Sequence, residues 1–298
     1  MSLKILQFGA TGQLAREMLE RAGPGVEITA LSRAEVDLTH PDAIARAIGE
    51  AGETDLVLNA AAYTAVDKAE AEPDLAYAVN AWAPAAMAKA CQARGLPLLQ
   101  ISTDMVFSGD KDGPYLETDG PAPLHVYGAS KLAGEQAVLN ACDRALVMRV
   151  SWLFSAYGQN FLQMMLRLAK TQPVLKVVAD QRACPTASGD LAAFILSQGD
   201  RLAKAPAGAR EWGLLHVVNA GAASRYDMAQ AIFAQTRPDD PPVMEPVPTS
   251  AFPTPARRAL NAVLDTSRMQ EVFSLQLRPW QEALEDVVAQ LSAQKETA

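Results

Sequence analysis

Leu3 to Phe8 is a short apolar run that ends in Gly9-Ala10-Thr11-Gly12-Gln13-Leu14-Ala15, and Arg16-Glu17-Met18-Leu19-Glu20-Arg21 follows with helical spacing. Strand, glycine turn and helix in this order constrain the fold more than any other stretch. Gly9 permits the tight turn, Gly12 lets backbone approach a pyrophosphate at the positive end of the helix, and Ala15 keeps helix and strand close. Thr11, Gln13 and Leu14 complete that turn. The rhythm then repeats. Strands are expected at Val26 to Leu31, Asp55 to Asn59, Leu96 to Ser102 and Ala145 to Ser151, with helices over 41–51, 74–94 and 128–141. Repeated units of this kind predict an α/β chain with a doubly wound parallel sheet, ligands lying at the carboxyl ends of the strands.

Past residue 152 the rhythm loosens. Helices are expected over 158–171, 189–204, 224–236 and 279–294, and strands near 174–178 and 214–218. Residues 1–152 read as a dinucleotide-binding domain to which 170–220 partly return, while 153–169 and 221–298 read as a smaller substrate-binding domain. The stretch 237–258 holds seven prolines, from Pro238 to Pro255, and is expected to be irregular, wrapping a surface or walling a ligand. The tail from Gln294 to Ala298 is expected to fray.

Formal charge is −8, which argues against nucleic-acid or anionic-membrane partners, so an anionic ligand needs a local basic cluster. Cys91, Cys142 and Cys184 are scattered without metal or disulfide spacing, as are His40, His125 and His216. Met1-Ser2-Leu3-Lys4 leads straight into a strand and no apolar run reaches membrane-spanning length, so a soluble cytoplasmic protein is the default expectation.

Several strand ends carry residues suited to a dinucleotide. Ser32 stands twenty residues after Gly12, where an NAD-preferring site places an acid on the ribose. Ser32-Arg33 instead leaves room for the extra phosphate of NADP, the alternative being a merely solvated Arg33. Asp37-Leu38 suits an adenine edge, and Ala60, Ala62, Tyr63 and Thr64 suit close cofactor approach at the end of the third strand. Tyr127 and Lys131 lie one helical turn apart, so both can serve one site, and a nearby ammonium favours the phenolate. Alone, that pair reads as an ordinary half-buried tyrosine and exposed lysine.

In combination these motifs resemble the extended short-chain dehydrogenase/reductase superfamily: Gly9-x-x-Gly12-x-x-Ala15, Asn59-Ala60-Ala61, Ser102-Thr103-Asp104 and Tyr127-x-x-x-Lys131. Within it, the runs from Asn59 to Glu70, Ser102 to Phe107, Arg149 to Phe154, Asp180 to Thr186, Phe252 to Arg258 and Asn261 to Thr266 are similar to dTDP-4-dehydrorhamnose reductases. The resemblance spans nearly the whole chain and implies a Rossmann-type fold and reduction of a sugar C4 ketone by NADPH, or NADH. It implies Tyr127 as proton donor, Lys131 as the cation that lowers the tyrosine's pKa and holds the nicotinamide ribose, and Thr103 as a hydrogen-bond donor to the carbonyl. Asp104 would contact the sugar. Trp152 would form an aromatic wall, with core packing as its equal alternative. Arg182, Arg257 and Arg258, with Asn160 as a neutral donor, are candidates for the substrate's diphosphate, each arginine having a surface role as its alternative.

This chain departs from the family at Met105, where tyrosine is usual, at Ala183, where glycine is common, at Ala259, where proline is usual, and at Arg225, where tryptophan is frequent. Mg²⁺ accompanies a dimer contact in some members. Only Glu17 of its carboxylates aligns and Gly189 stands where another acid is expected, so a bound metal is not expected, while a homodimer stays open. Two other readings fit parts of the pattern. An epimerase or dehydratase of the same superfamily uses the same Tyr–Lys pair. A regulatory subunit that binds a dinucleotide without turnover would retain the fold.

Overall fold

The structure, a computed structural model, describes residues 2–296. Strands β1 (Leu3–Phe8), β2 (Val26–Leu31), β3 (Leu56–Asn59), β4 (Leu98–Thr103) and β5 (Ala145–Val150) join a later strand, Gly213–His216, in one six-stranded sheet. Its order runs Gly213–His216, β5, β4, β3, β1, β2, and every pairing is parallel. Alternation along β1 explains the layers. Leu3 and Ile5 join Leu14, Met18, Leu191 and Phe194 on one face, while Leu6 and Phe8 join Ile44, Ile48, Met87 and Val138 on the other. The first face is covered by α1 (Gln13–Arg21) and Ser188–Lys204; the second is covered by α2 (Pro41–Glu50), α3 (Ala83–Arg94) and α4 (Val126–Ala141). The doubly wound parallel sheet expected from the repeats is the one observed.

A separate apolar cluster is built by α5 (Phe161–Leu168), β6 (Val174–Val178), α7 (Arg225–Thr236) and α9 (Trp280–Glu296), whereas α6 (Ser188–Lys204) and α8 (Ser267–Phe273) pack into the core on the sheet's first face. Leu162, Leu175, Ile232, Phe233 and Leu284 are buried in it.

Four local expectations need correction. The span 74–94 is not one uniform helix: Ala78–Trp82 forms a π-turn between Pro73–Tyr77 and α3. The proline-rich 237–258 is not wholly irregular, because Val243–Val247 pairs in parallel with β6, Pro246 opposite Val177. That pair is a two-stranded sheet, so the new strand is an edge that can tolerate a residue without N–H. Helix α8 was not anticipated. The tail is helical to Glu296, and Thr297 and Ala298 lie outside the described residues. No helix among the described residues is long and apolar enough to cross a membrane.

Candidate active site

A groove of about 920 Å³ runs across the carboxyl ends of β1, β3 and β4. At its floor Gly9 has φ +100°, which favours glycine, and a Cβ there would also crowd Ala61 at 3.3 Å. Gly12 has an ordinary φ of −68° and only Ala60 O within 4.0 Å of its Cβ position, facing the groove. No side chain caps α1, so the first N–H groups of the helix remain available to an anion. Thr11, Gln13, Leu14, Arg33, Asp37, Leu38, Ala60, Ala62, Tyr63 and Thr64 also line this groove.

Four residues form its deep end. Thr103 ends β4, and Asp104 begins the 3₁₀ turn that follows, so both project at the sheet edge. Thr103 Oγ1 donates to Asp104 Oδ1 at 3.0 Å and accepts the Met105 N–H, while Ser151 Oγ donates to Asp104 Oδ2 at 2.6 Å. Helix α4 begins at Val126 because His125 caps it: His125 Nδ1 accepts the Gly128 N–H at 3.0 Å. Tyr127 and Lys131 then face the groove from successive turns, and Lys131 Nζ donates to Ile101 O at 2.6 Å. Below them lies a buried network in which Glu135 accepts from Ser102 Oγ and from Arg149 Nε and Nη2. A Cβ at Gly134 would lie 2.0 Å from Asn80 O, so this glycine lets α4 seat against the π-turn.

A smaller chamber adjoins the groove, and the two share Asp104, Met105, Trp152 and Arg225. His125, Gln181, Arg182 and Arg258 complete its polar lining. Trp152 has φ +41°, a left-handed conformation that costs a bulky residue on the order of 1–3 kcal/mol.

Residues 3–293 match the family model described as the RmlD substrate binding domain. The chain is 40% identical over 303 residues to dTDP-4-dehydrorhamnose reductase of Burkholderia thailandensis, covering 98% of this chain and all of that one. It is 38% identical to the Escherichia coli (strain K12) enzyme of that name over 297 residues, 97% of this chain and 98% of that one. The crystal structure of dTDP-4-dehydrorhamnose reductase from Bacillus anthracis str. Ames in complex with NADP superposes with a TM-score of 0.89 at 34% identity, covering 97% of this chain and 100% of that chain. The chain belongs to the dTDP-4-dehydrorhamnose reductase family.

For this dTDP-4-dehydrorhamnose reductase family member the electrostatics of the groove are set first by burial. Burial and the Asp104 carboxylate push the Tyr127 phenol up to about 12, with hydrogen bonding to Thr103 opposing. The Lys131 ammonium is turned onto Ile101 O, and burial brings it down to about 8 against the pull of Glu135. Burial also raises Asp104 to about 6, opposed by Ser151, Thr103 and Arg225.

Three expected ligand contacts stand elsewhere. Ser32 does not line the groove, and its N–H donates to Glu35 Oε2 at 2.7 Å. Asn160 lies outside both cavities: Oδ1 caps α5 through the Gln163 N–H, and Nδ2 is shared among Gln13, Ser155 and Tyr157. Arg257 is exposed and lines neither cavity, whereas Arg182 and Arg258 line the chamber. Sequence reasoning missed Arg225 and His125 as chamber residues. The proximity of His125 to Tyr127 in the chain was the available signal for one; the departure from tryptophan at Arg225 was the signal for the other.

The residues do not fit Mg²⁺ at the contact that some members use. Glu17 Oε2 accepts from Arg21 Nε at 2.8 Å, and the Arg21 guanidinium fills the space a side chain at Gly189 would need. A dication there would face a guanidinium.

Proposed function

We propose that this chain reduces the C4 ketone of dTDP-4-dehydro-L-rhamnose to the alcohol of dTDP-L-rhamnose, with Tyr127 delivering the proton. Family membership over nearly the full chain supports the substrate. The observation that carries the chemical assignment is the meeting of Thr103, Asp104, Tyr127 and Lys131 on the wall of one groove, with Asp104 also lining the adjoining chamber.

When bound, the dinucleotide supplies the hydride; NADPH is the expected form, with NADH as an alternative. The uncapped start of α1 and the Gly9 turn accept its pyrophosphate, and Arg33 stands at the adenosine end. Tyr127, held up at about 12, is protonated throughout the neutral range, as a donor to the developing alkoxide must be. Lys131 stabilises the phenolate left behind and steadies the nicotinamide ribose. Thr103 donates to the ketone oxygen by turning its hydroxyl from Asp104, only 3.0 Å away. Asp104 accepts from a sugar hydroxyl, Trp152 forms a wall to the ring, and Arg182 and Arg258 hold the diphosphate in a protein whose net charge would otherwise repel it. On this reading the reaction runs in the cytoplasm with a nucleotide sugar as the small-molecule partner.

The test is NADPH oxidation with dTDP-4-dehydro-L-rhamnose, comparing wild type with Tyr127→Phe. Loss of kcat with cofactor binding retained supports the assignment, and full activity in Tyr127→Phe refutes it. Epimerisation or dehydration would instead leave NADPH unconsumed, and a regulatory subunit would turn over no keto sugar.

A further inference from the structure

Arg225 is held more firmly than an ordinary surface arginine. It follows Ser224, whose Oγ accepts the Asp227 N–H while Asp227 Oδ2 accepts the Ser224 N–H, a reciprocal cap that fixes the first turn of α7. Ser224 is also paired with Arg182 in a short antiparallel bridge, which fixes the approach to the turn. The guanidinium carbon lies 3.5 Å from the centre of the Trp152 ring and 4.9 Å from that of Phe161. With both aromatic rings engaging the cation, its N–H groups are what remain for directional contacts. Among the described residues no hydrogen bond or ion pair engages them.

Position decides what those N–H groups meet. Arg182 and Arg258 line the chamber alone, whereas Arg225 lines both chamber and groove, together with Asp104. It therefore stands where the two cavities join, between the groove lined by Tyr127 and Thr103 and the chamber lined by Arg182 and Arg258. Asp104 faces it with oxygens that each accept one protein hydroxyl and retain a further lone pair. Tyr127, Cys184 and Arg258 are the other charged or titratable groups that sense this pair. A fixed donor beside a fixed acceptor matches two neighbouring hydroxyl groups.

We propose that Arg225 and Asp104 form a donor–acceptor pair that reads the vicinal diol beside the ketone of the sugar, making Arg225 a specificity-determining residue. The proposal rests on the reductase reading. Arg225 donates to one hydroxyl oxygen and Asp104 accepts from the neighbouring hydroxyl. The aromatic sandwich keeps the donor in place before substrate arrives.

The experiment measures kcat/KM of wild type, Arg225→Gln and Arg225→Lys with dTDP-4-dehydro-L-rhamnose and with analogues lacking one or the other hydroxyl of that diol. Wild type is expected to disfavour a deoxy analogue by about 10- to 100-fold, the range for a hydrogen bond to a charged group. Arg225→Gln is expected to lose most of that discrimination, with Arg225→Lys between the two. The Kd values for dTDP and for NADPH should stay within about twofold of wild type, which also shows that the variants fold. Unchanged discrimination in both variants overturns the proposal. So does a tenfold loss of dTDP affinity in either variant, which would assign Arg225 to the diphosphate. A wild type that turns over no dTDP-4-dehydro-L-rhamnose overturns the reductase reading itself, and a failure confined to discrimination overturns only the role of Arg225.

Discussion

Asp67 and Arg258, 191 residues apart in the chain, meet through a 2.9 Å ion pair. Asp67 also accepts the Ala256 N–H, and Arg258 Nη1 donates to Ala256 O. The short helix Val66–Ala69 after β3 thus anchors the end of the proline-rich segment, where Arg258 lines the chamber. Asp67→Asn should raise KM for the nucleotide sugar by up to about tenfold, the scale of one charge-assisted hydrogen bond, and leave the NADPH Kd unchanged. Arg258→Ala should do the same or more. Because Asp67 is 43% exposed, the effect on unfolding free energy should stay below about 1 kcal/mol. An unchanged KM in Arg258→Ala would remove this arginine from substrate binding.

Tyr127→Phe should lower kcat by about 10²- to 10⁴-fold, the usual range for a general acid. The phenyl ring keeps the packing, so NADPH binding by fluorescence titration should be preserved. A fall in both would point to collapse of the groove and not to a lost proton.

The pH dependence has a sign that can be checked. Lys131 is brought down to about 8 from an ordinary 10.5, so activity that needs its ammonium should fall as pH rises through about 8. Between about 8 and 10.5 the unfolded chain holds the Lys131 proton that the folded one has released, so this lysine makes stability rise with pH there. Activity and this share of stability move in opposite directions. Kinetics across that range, with urea melts of wild type and Lys131→Met, would show it; equal melts at every pH would refute the lowered pKa.

Arg149 and Glu135 are each about 2% exposed and paired at 2.6 Å beneath the active-site helix. Arg149→Met strands a buried carboxylate and should cost about 3–5 kcal/mol in urea unfolding, while adding Glu135→Leu should recover much of that loss. Additive losses in the double variant would show that the two side chains do not act as a pair.

The parallel sheet and its glycine turn were legible because strand period and positive φ are local matters: β1 and β2 begin and end where the apolar runs do, and Gly9 needs its φ of +100°. Thr103, Tyr127 and Lys131 were legible as motif members. What stayed hidden depended on partners distant in sequence. Arg225 finds Trp152 and Phe161 only through the fold, and Asn160 is consumed by capping α5 and by Gln13. The strand Val243–Val247 was obscured by Pro246 and the prolines that flank it, since an edge position that spares the missing N–H of Pro246 is visible only once β6 is beside it. The pKa of Tyr127 likewise follows from burial and from Asp104, neither of which the Tyr-x-x-x-Lys spacing contains.

Gly134 sits between Lys131 and Glu135 on α4, with the Asn80 carbonyl where its side chain would be. Asn80 in turn holds Tyr63 and Ser130 by hydrogen bonds. A saturation library at position 134 should therefore come back almost bare, even though the residue performs no chemistry. Gly134 thus records how closely two backbones must approach, and drift at such a position is limited by elbow room as much as by catalysis.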